Sequence, residues 1–153
     1  MLDRPTRDLD VVAAIRDGAY TSADPLSQDL VTAVQDVASA LGLEPDWLNP
    51  GPTSLLELGL PAGFEDRVEV RTFDTLEIQL AGRLDQIHFK LYAAVDQGPH
   101  SKHFSDLQAL GPTRDELIAT AQWARTHDVS GEFRAELLGA LGSLGVEGAE
   151  DEL

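Results

Sequence analysis

The chain contains no cysteine, so disulfides and thiolate metal sites are both excluded. That absence fits a reducing compartment. Long apolar runs are missing too. No stretch approaches a membrane span, and the opening MLDRPTRDLD lacks the apolar centre of a signal peptide. These absences predict a cytoplasmic protein with no membrane partner. Positive charge is scarce: 11 Lys and Arg stand against 27 Asp and Glu, for a formal net charge of −16. Such a surface repels phosphate backbones, which argues against a broad nucleic-acid surface while leaving room for a local basic cleft. Nucleotide-binding and hydrolase signatures are also missing, since GxSxG, P-loop and GxGxxG patterns do not occur. No internal repeat and no low-complexity linker is evident.

What is present reads as one α+β or mixed α/β unit of 153 residues, long enough to bury a core without staples. Leu9, Val11 and Val12 form a short apolar run that predicts a buried strand. A turn-rich stretch follows from Asp17 to Asp24. Asp24 is an expected N-cap with Pro25 in the first helical position. Leu30, Val34, Val37 and Leu41 then recur at helical spacing, and Gly42 can close that helix. Prolines and glycines punctuate residues 44–63, which predicts irregular chain with a short helix over Thr53 to Leu58.

VEVRTF and LEIQL alternate polar and apolar residues around Asp74 and Thr75, as a hairpin does. The rest is helical. Leu84, Ile87, Leu91 and Ala94 make one stripe, and a second short helix runs from about Lys102 to Leu110. Thr113 and Glu116 form a capping box that opens a helix ending near His127. Ser130 caps a last helix with the stripe Phe133, Leu137, Leu141 and Leu144. The expected organisation is an α/β part over residues 1–82, a helical part over 83–146 packed on it, and a frayed acidic tail over 147–153.

Three features could carry chemistry. In a strand, Asp8 and Asp10 project to the same side, and adjacent carboxylates favour a hard divalent cation such as Mg²⁺ or Mn²⁺. A solvated strand end bearing two surface acids is the plainer account in so acidic a chain. Lys90 stands about 60° from Ile87 around its helix. There it can snorkel out of the core or aim an ammonium at phosphate. Lys102 and Asp106 are i,i+4 neighbours, ordinarily a weak surface pair. His100 and His103 have HxxH spacing without an evident third ligand, and Trp47 and Trp123 read as packing residues.

The run TRDLDVV resembles the Arg-x-Thr-x-Asp-apolar-Asp stretch of nucleotidyltransferase-fold proteins. HFKLYAAVDQGPHSKHFSDLQAL resembles the lysine- and aspartate-bearing middle segment of AbiEii-type toxins and related proteins. The helical part from TRDELIATAQWARTHD onward is similar to the tails of such proteins. The resemblance implies a small mixed sheet with flanking helices and a helical C-terminal half. It implies Asp8 and Asp10 as the metal-binding pair, Lys90 and Lys102 as nucleotide contacts, and Asp106 as a further active-site carboxylate. All would converge on one cleft.

The implied activity is transfer of a nucleoside monophosphate from a nucleoside triphosphate to an RNA or protein acceptor, in a toxin–antitoxin setting with an antitoxin partner. The chain departs from the pattern at two places. No Gly-Gly or Gly-Ser turn stands ahead of Asp8, and His103 occupies a position where aspartate is common. The glycine turn supplies backbone N–H groups to triphosphate, so its absence predicts little or no transfer. The alternative is a catalytically degenerate member that acts as a binding or regulatory partner.

Overall fold

The computed structural model describes residues 8–153. The chain adopts the α+β class, with seven α-helices and three two-stranded ribbons among the described residues. By contacts it divides into two compact units that meet in sequence between Leu60 and Pro61. The expected boundary near residue 82 therefore moves forward, and the central hairpin goes with the helices.

In the first unit, strand β1 (Leu9–Asp10) pairs in parallel with β4 (Leu48–Asn49), Leu9 opposite Leu48 and Asp10 opposite Asn49. Leu9 is 48% exposed rather than buried. A ribbon this short and narrow gives an apolar residue no second layer to pack against. Strands β2 (Ala14–Arg16) and β3 (Ala19–Thr21) form an antiparallel hairpin. Its two-residue loop holds Asp17 at φ 52° and Gly18 at φ 77°. Both values are positive, as a tight hairpin turn requires, and Asp-Gly supplies them at low cost.

Helix α1 (Gln28–Leu41) starts one turn later than the Asp24 cap predicts. Ser27 is the N-cap, and its hydroxyl accepts from the Leu30 N–H at 3.4 Å. Asp24 is already engaged in a local turn, where the Ser22 hydroxyl accepts its N–H at 3.2 Å and donates to its carbonyl at 3.0 Å. Gly42 closes the helix at φ 66°, as its position in the sequence predicts. Val34 and Ala38 are buried, whereas Leu41, the last member of the expected stripe, is 70% exposed. Trp47 donates its indole N–H to the Val34 carbonyl at 3.0 Å, a packing role. A 3-10 turn over Gly51–Thr53 leads into α2 (Ser54–Leu58), close to the expected short helix.

The second unit opens with α3 (Phe64–Arg67), followed by β5 (Glu69–Phe73) and β6 (Leu76–Leu80). The register of this hairpin is Glu69 with Leu80, Arg71 with Ile78 and Phe73 with Leu76. Asp74 takes φ 50° in the loop, a conformation that aspartate tolerates better than most residues. Helices α4 (Arg83–Gln97), α5 (Lys102–Ala109), α6 (Arg114–His127) and α7 (Gly131–Ser143) then pack together. Ile87, Leu91, Leu107, Ala121, Leu137 and Leu141 are fully buried at their centre. The capping box of α6 is complete. Thr113 Oγ1 accepts from the Glu116 N–H at 3.2 Å, and the Glu116 carboxylate accepts from the Thr113 N–H at 2.8 Å. Ser130 caps α7 through the Phe133 N–H at 3.1 Å.

The acidic tail is docked rather than frayed. Ala149 is 2% exposed, Leu153 packs on the core, and Glu152 pairs with Arg114 at 2.5 Å. Gln122 donates to the Glu152 carbonyl at 3.0 Å, and Arg134 donates to that of Glu150. Cationic and amide groups on α6 and α7 thus hold residues that composition alone assigns to solvent. Among the described residues, no helix is long and apolar enough to cross a membrane.

Candidate functional site

The residues singled out by the resemblance fall into two sets. Asp8 and Asp10 belong to the first unit, and Lys90, Lys102 and Asp106 belong to the second. Within the first, Asp8 directly precedes β1 and is half-buried, while Asp10 ends β1 and is exposed. The parallel pairing of β1 with β4 places Asn49 opposite Asp10, and the Asn49 Nδ2 donates to Asp10 Oδ1 at 3.2 Å. The other end of the same amide accepts from the Gly51 N–H at 3.0 Å. A Cβ on Gly51 would stand 2.9 Å from Asn49 Oδ1, so glycine is what lets this amide close on the backbone. Asn49 is thereby locked, and it orients the Asp10 carboxylate.

Hard carboxylate oxygens spaced two residues apart suit Mg²⁺ or Mn²⁺, and an amide holding a ligating carboxylate is an ordinary outer-shell contact. Asn49 also lines an open cleft of about 540 Å³ together with Ser22, Asp24, Thr53, Ser54 and Glu57. Neither Asp8 nor Asp10 lines it. Among the described residues, no group of three or more His, Cys, Asp or Glu side chains is arranged to hold a metal ion, and His100 and His103 gain no third ligand.

In the second unit the structure brings Lys90 and Asp106 together. Lys90 lies on α4 beside the apolar stripe and Asp106 lies on α5, with the ammonium donating to Asp106 Oδ2 at 3.1 Å. Their side chains are 25% and 13% exposed, so the pair is half-sheltered from water. Lys102 stands exposed in the first turn of the same short helix, whose N-cap is Ser101. Asp106 thus meets Lys90 across two helices, a contact that its i,i+4 spacing with Lys102 does not describe.

The sequence reading did not anticipate a second ion pair, between Arg67 and Asp85. Asp85 is fully buried in the first turn of α4. Arg67 Nε lies 3.2 and 3.1 Å from its two oxygens, Arg67 Nη2 donates at 2.5 Å, and Nη1 reaches the Ala62 carbonyl at 2.8 Å. The Asp85 carboxylate, as hydrogen-bond acceptor, raises the Arg67 pKa above its ordinary value. Gly82 is pressed between these groups, since a Cβ there would meet the Arg67 carbonyl oxygen at 2.9 Å. Arg67 precedes β5 and Gly82 follows β6, so this pair holds the open end of the hairpin to α4. One signal was legible, because Asp85 and His88 sit three apart beside the stripe of α4, where a buried polar pair needs partners.

His88 is buried against Trp123, with ring centroids 5.3 Å apart, and its Nδ1 lies 2.8 Å from the Leu84 carbonyl oxygen. Burial pushes its pKa down, outweighing that hydrogen bond. Trp123 also meets Phe89, Tyr92 and His127, so it is a packing residue as expected. Comparison of the chain with protein-family models, with curated proteins and with solved structures returns no match.

Proposed function

We propose that the chain is a catalytically degenerate nucleotidyltransferase-like protein that works as a binding or regulatory partner. The Lys90–Asp106 pair carries this reading. A triphosphate needs uncompensated positive charge, and catalysis of its transfer is almost entirely positioning and charge stabilisation. Lys90 and Asp106 together offer none, because a half-sheltered carboxylate 3.1 Å away neutralises the ammonium. Drawing Lys90 onto phosphate would leave Asp106 without that cation and close to another anion. The net charge of −16 adds to the repulsion.

A second reading is favoured by the i,i+2 spacing of Asp8 and Asp10 and by the locked Asn49 that orients Asp10. It is an active nucleotidyltransferase of the toxin–antitoxin type, with a nucleoside triphosphate as donor and RNA or protein as acceptor. Asp8 and Asp10 would hold Mg²⁺ or Mn²⁺, with Asp106 as the further carboxylate and Lys90 and Lys102 on the nucleotide. When bound, such an ion bridges phosphates and activates an attacking oxygen.

One experiment separates the two. The full chain is incubated with labelled nucleoside triphosphates, Mg²⁺ and RNA or protein acceptors, with Asp8→Ala alongside. The first reading expects no incorporation above background and no saturable nucleotide binding by calorimetry. Mg²⁺-dependent incorporation that Asp8→Ala abolishes would overturn it and establish the second.

A further inference from the structure

Among the described residues, the β5–β6 hairpin of the second unit carries exposed apolar side chains on one face. By register, Phe73, Leu76, Ile78 and Leu80 lie on one face, and they are 56%, 49%, 37% and 39% exposed. Leu76, Ile78 and Leu80 occupy every second position of β6, so that strand lines its half of the face with apolar side chains, while the β5 half carries Glu69, Arg71 and Phe73. Arg71 shares the face but is paired with Glu69 at 2.7 Å, and it adds no net charge there. The opposite face of β6 carries Glu77 and Gln79, with the Gln79 amide donating to the Glu77 carboxylate at 3.2 Å. Among the described residues no third strand joins this ribbon. A two-stranded ribbon is marginal alone, and its open edge is a template for a further strand. Here the Arg67–Asp85 pair anchors the open end of the ribbon, where β5 begins and β6 ends.

We infer that the free edge of β6 binds an extended segment of a partner protein in which apolar residues alternate with lysine or arginine. This inference rests on the reading of the chain as a binding partner. Added beside β6, such a segment would place its apolar residues next to Leu76, Ile78 and Leu80 and its cations next to Glu77, while main-chain hydrogen bonds supply affinity. Charge selects the basic partner. Residues 69–80 hold three acids and one base, and the chain as a whole carries −16. A second copy would bring another −16 to the same edge, and nucleic acid would bring its phosphates.

The test uses the full chain and two labelled ten-residue peptides of equal composition, one alternating lysine and valine and one with the lysines and valines in separate blocks. Fluorescence anisotropy at physiological salt should show the alternating peptide binding about tenfold tighter than the block peptide. Ile78→Lys should erase that advantage while circular dichroism and the melting temperature of the helices stay unchanged. Glu77→Lys, on the other face, should weaken the alternating peptide by about three- to fivefold. Equal affinity for the two peptides, or an advantage that survives both variants, would reduce the interaction to bulk charge and overturn the inference. A wild-type dimer in sedimentation that Ile78→Lys dissociates would overturn it in favour of self-pairing. Nucleotide incorporation in the assay above would sink the degenerate-enzyme reading and leave the peptide comparison readable on its own.

Discussion

The helices of the second unit and the hairpin that precedes them follow equally clear hydrophobic patterns, yet the two patterns meet different fates. The stripe of α4 is covered, with Ile87 and Leu91 fully buried. The period-two row of β6 is not, and Leu76 remains 49% exposed. Periodicity states which side of an element is apolar. It does not state what covers that side. Four helices of 8 to 15 residues can enclose one another's stripes. Among the described residues, the ribbon of two five-residue strands has no such neighbour over the apolar row of β6.

The sharpest break of this comparison is a paired truncation. Leu91→Ala should cost about 3 kcal/mol, as methylene loss in a closed core does, whereas Ile78→Ala should stay within about 0.5 kcal/mol. Urea unfolding of both variants measures the contrast, and similar losses would mean that the hairpin face is covered. The Arg67–Asp85 pair comes next. Asp85→Ala leaves the Arg67 guanidinium without its carboxylate, and we expect about 2–3 kcal/mol of destabilisation, discounted because Arg67 is partly exposed. Hydrogen exchange should show the amides of β5 and β6 losing protection before those of α6. Loss of protection in both at once would place the pair in the global core instead.

A smaller effect is expected at the start of α6. Arg83 hydrogen-bonds Glu116 and, with the Thr113 N–H, holds its pKa down to about 2 from the ordinary 4.5. For an acid whose folded pKa is depressed, the contribution is complete above 4.5 and is lost as pH falls from 4.5 toward 2. Glu116→Ala should cost about 1 kcal/mol at neutral pH and flatten the acid limb of the stability profile. The smallest effect concerns His88, whose pKa burial lowers from 6.5. The fold prefers the neutral imidazole, so stability is fully present above 6.5 and declines as pH falls below it. His88→Asn keeps a donor for the Leu84 carbonyl and should remove this decline. An unchanged slope between pH 5 and 6.5 would assign it to another histidine.

The sequence by itself determined the parts of this protein that depend on near neighbours. Thr113 and Glu116 announce their helix because a capping box is closed within four residues. Gly42 announces an end because a positive φ at that cap suits glycine, and Asp74-Thr75 announces a turn between two alternating runs. Asp17-Gly18 carried the same kind of signal for the β2–β3 hairpin, and it was legible in the same terms. The pairing of Asp8 with Asp10 is equally local, since it follows from strand geometry alone.

Only the tertiary structure decided which charges meet and which apolar sides are covered. Lys90 finds Asp106 across 16 residues, Arg67 finds Asp85 across 18, and Arg114 finds Glu152 across 38. These are meetings between elements, and no spacing rule within an element reaches that far. The acidic tail looked frayed because composition counts its charges and cannot see Arg114, Gln122 and Arg134 waiting on α6 and α7. The strand at Leu9 looked buried for the converse reason, since burial is decided by a second layer that the neighbouring residues do not encode.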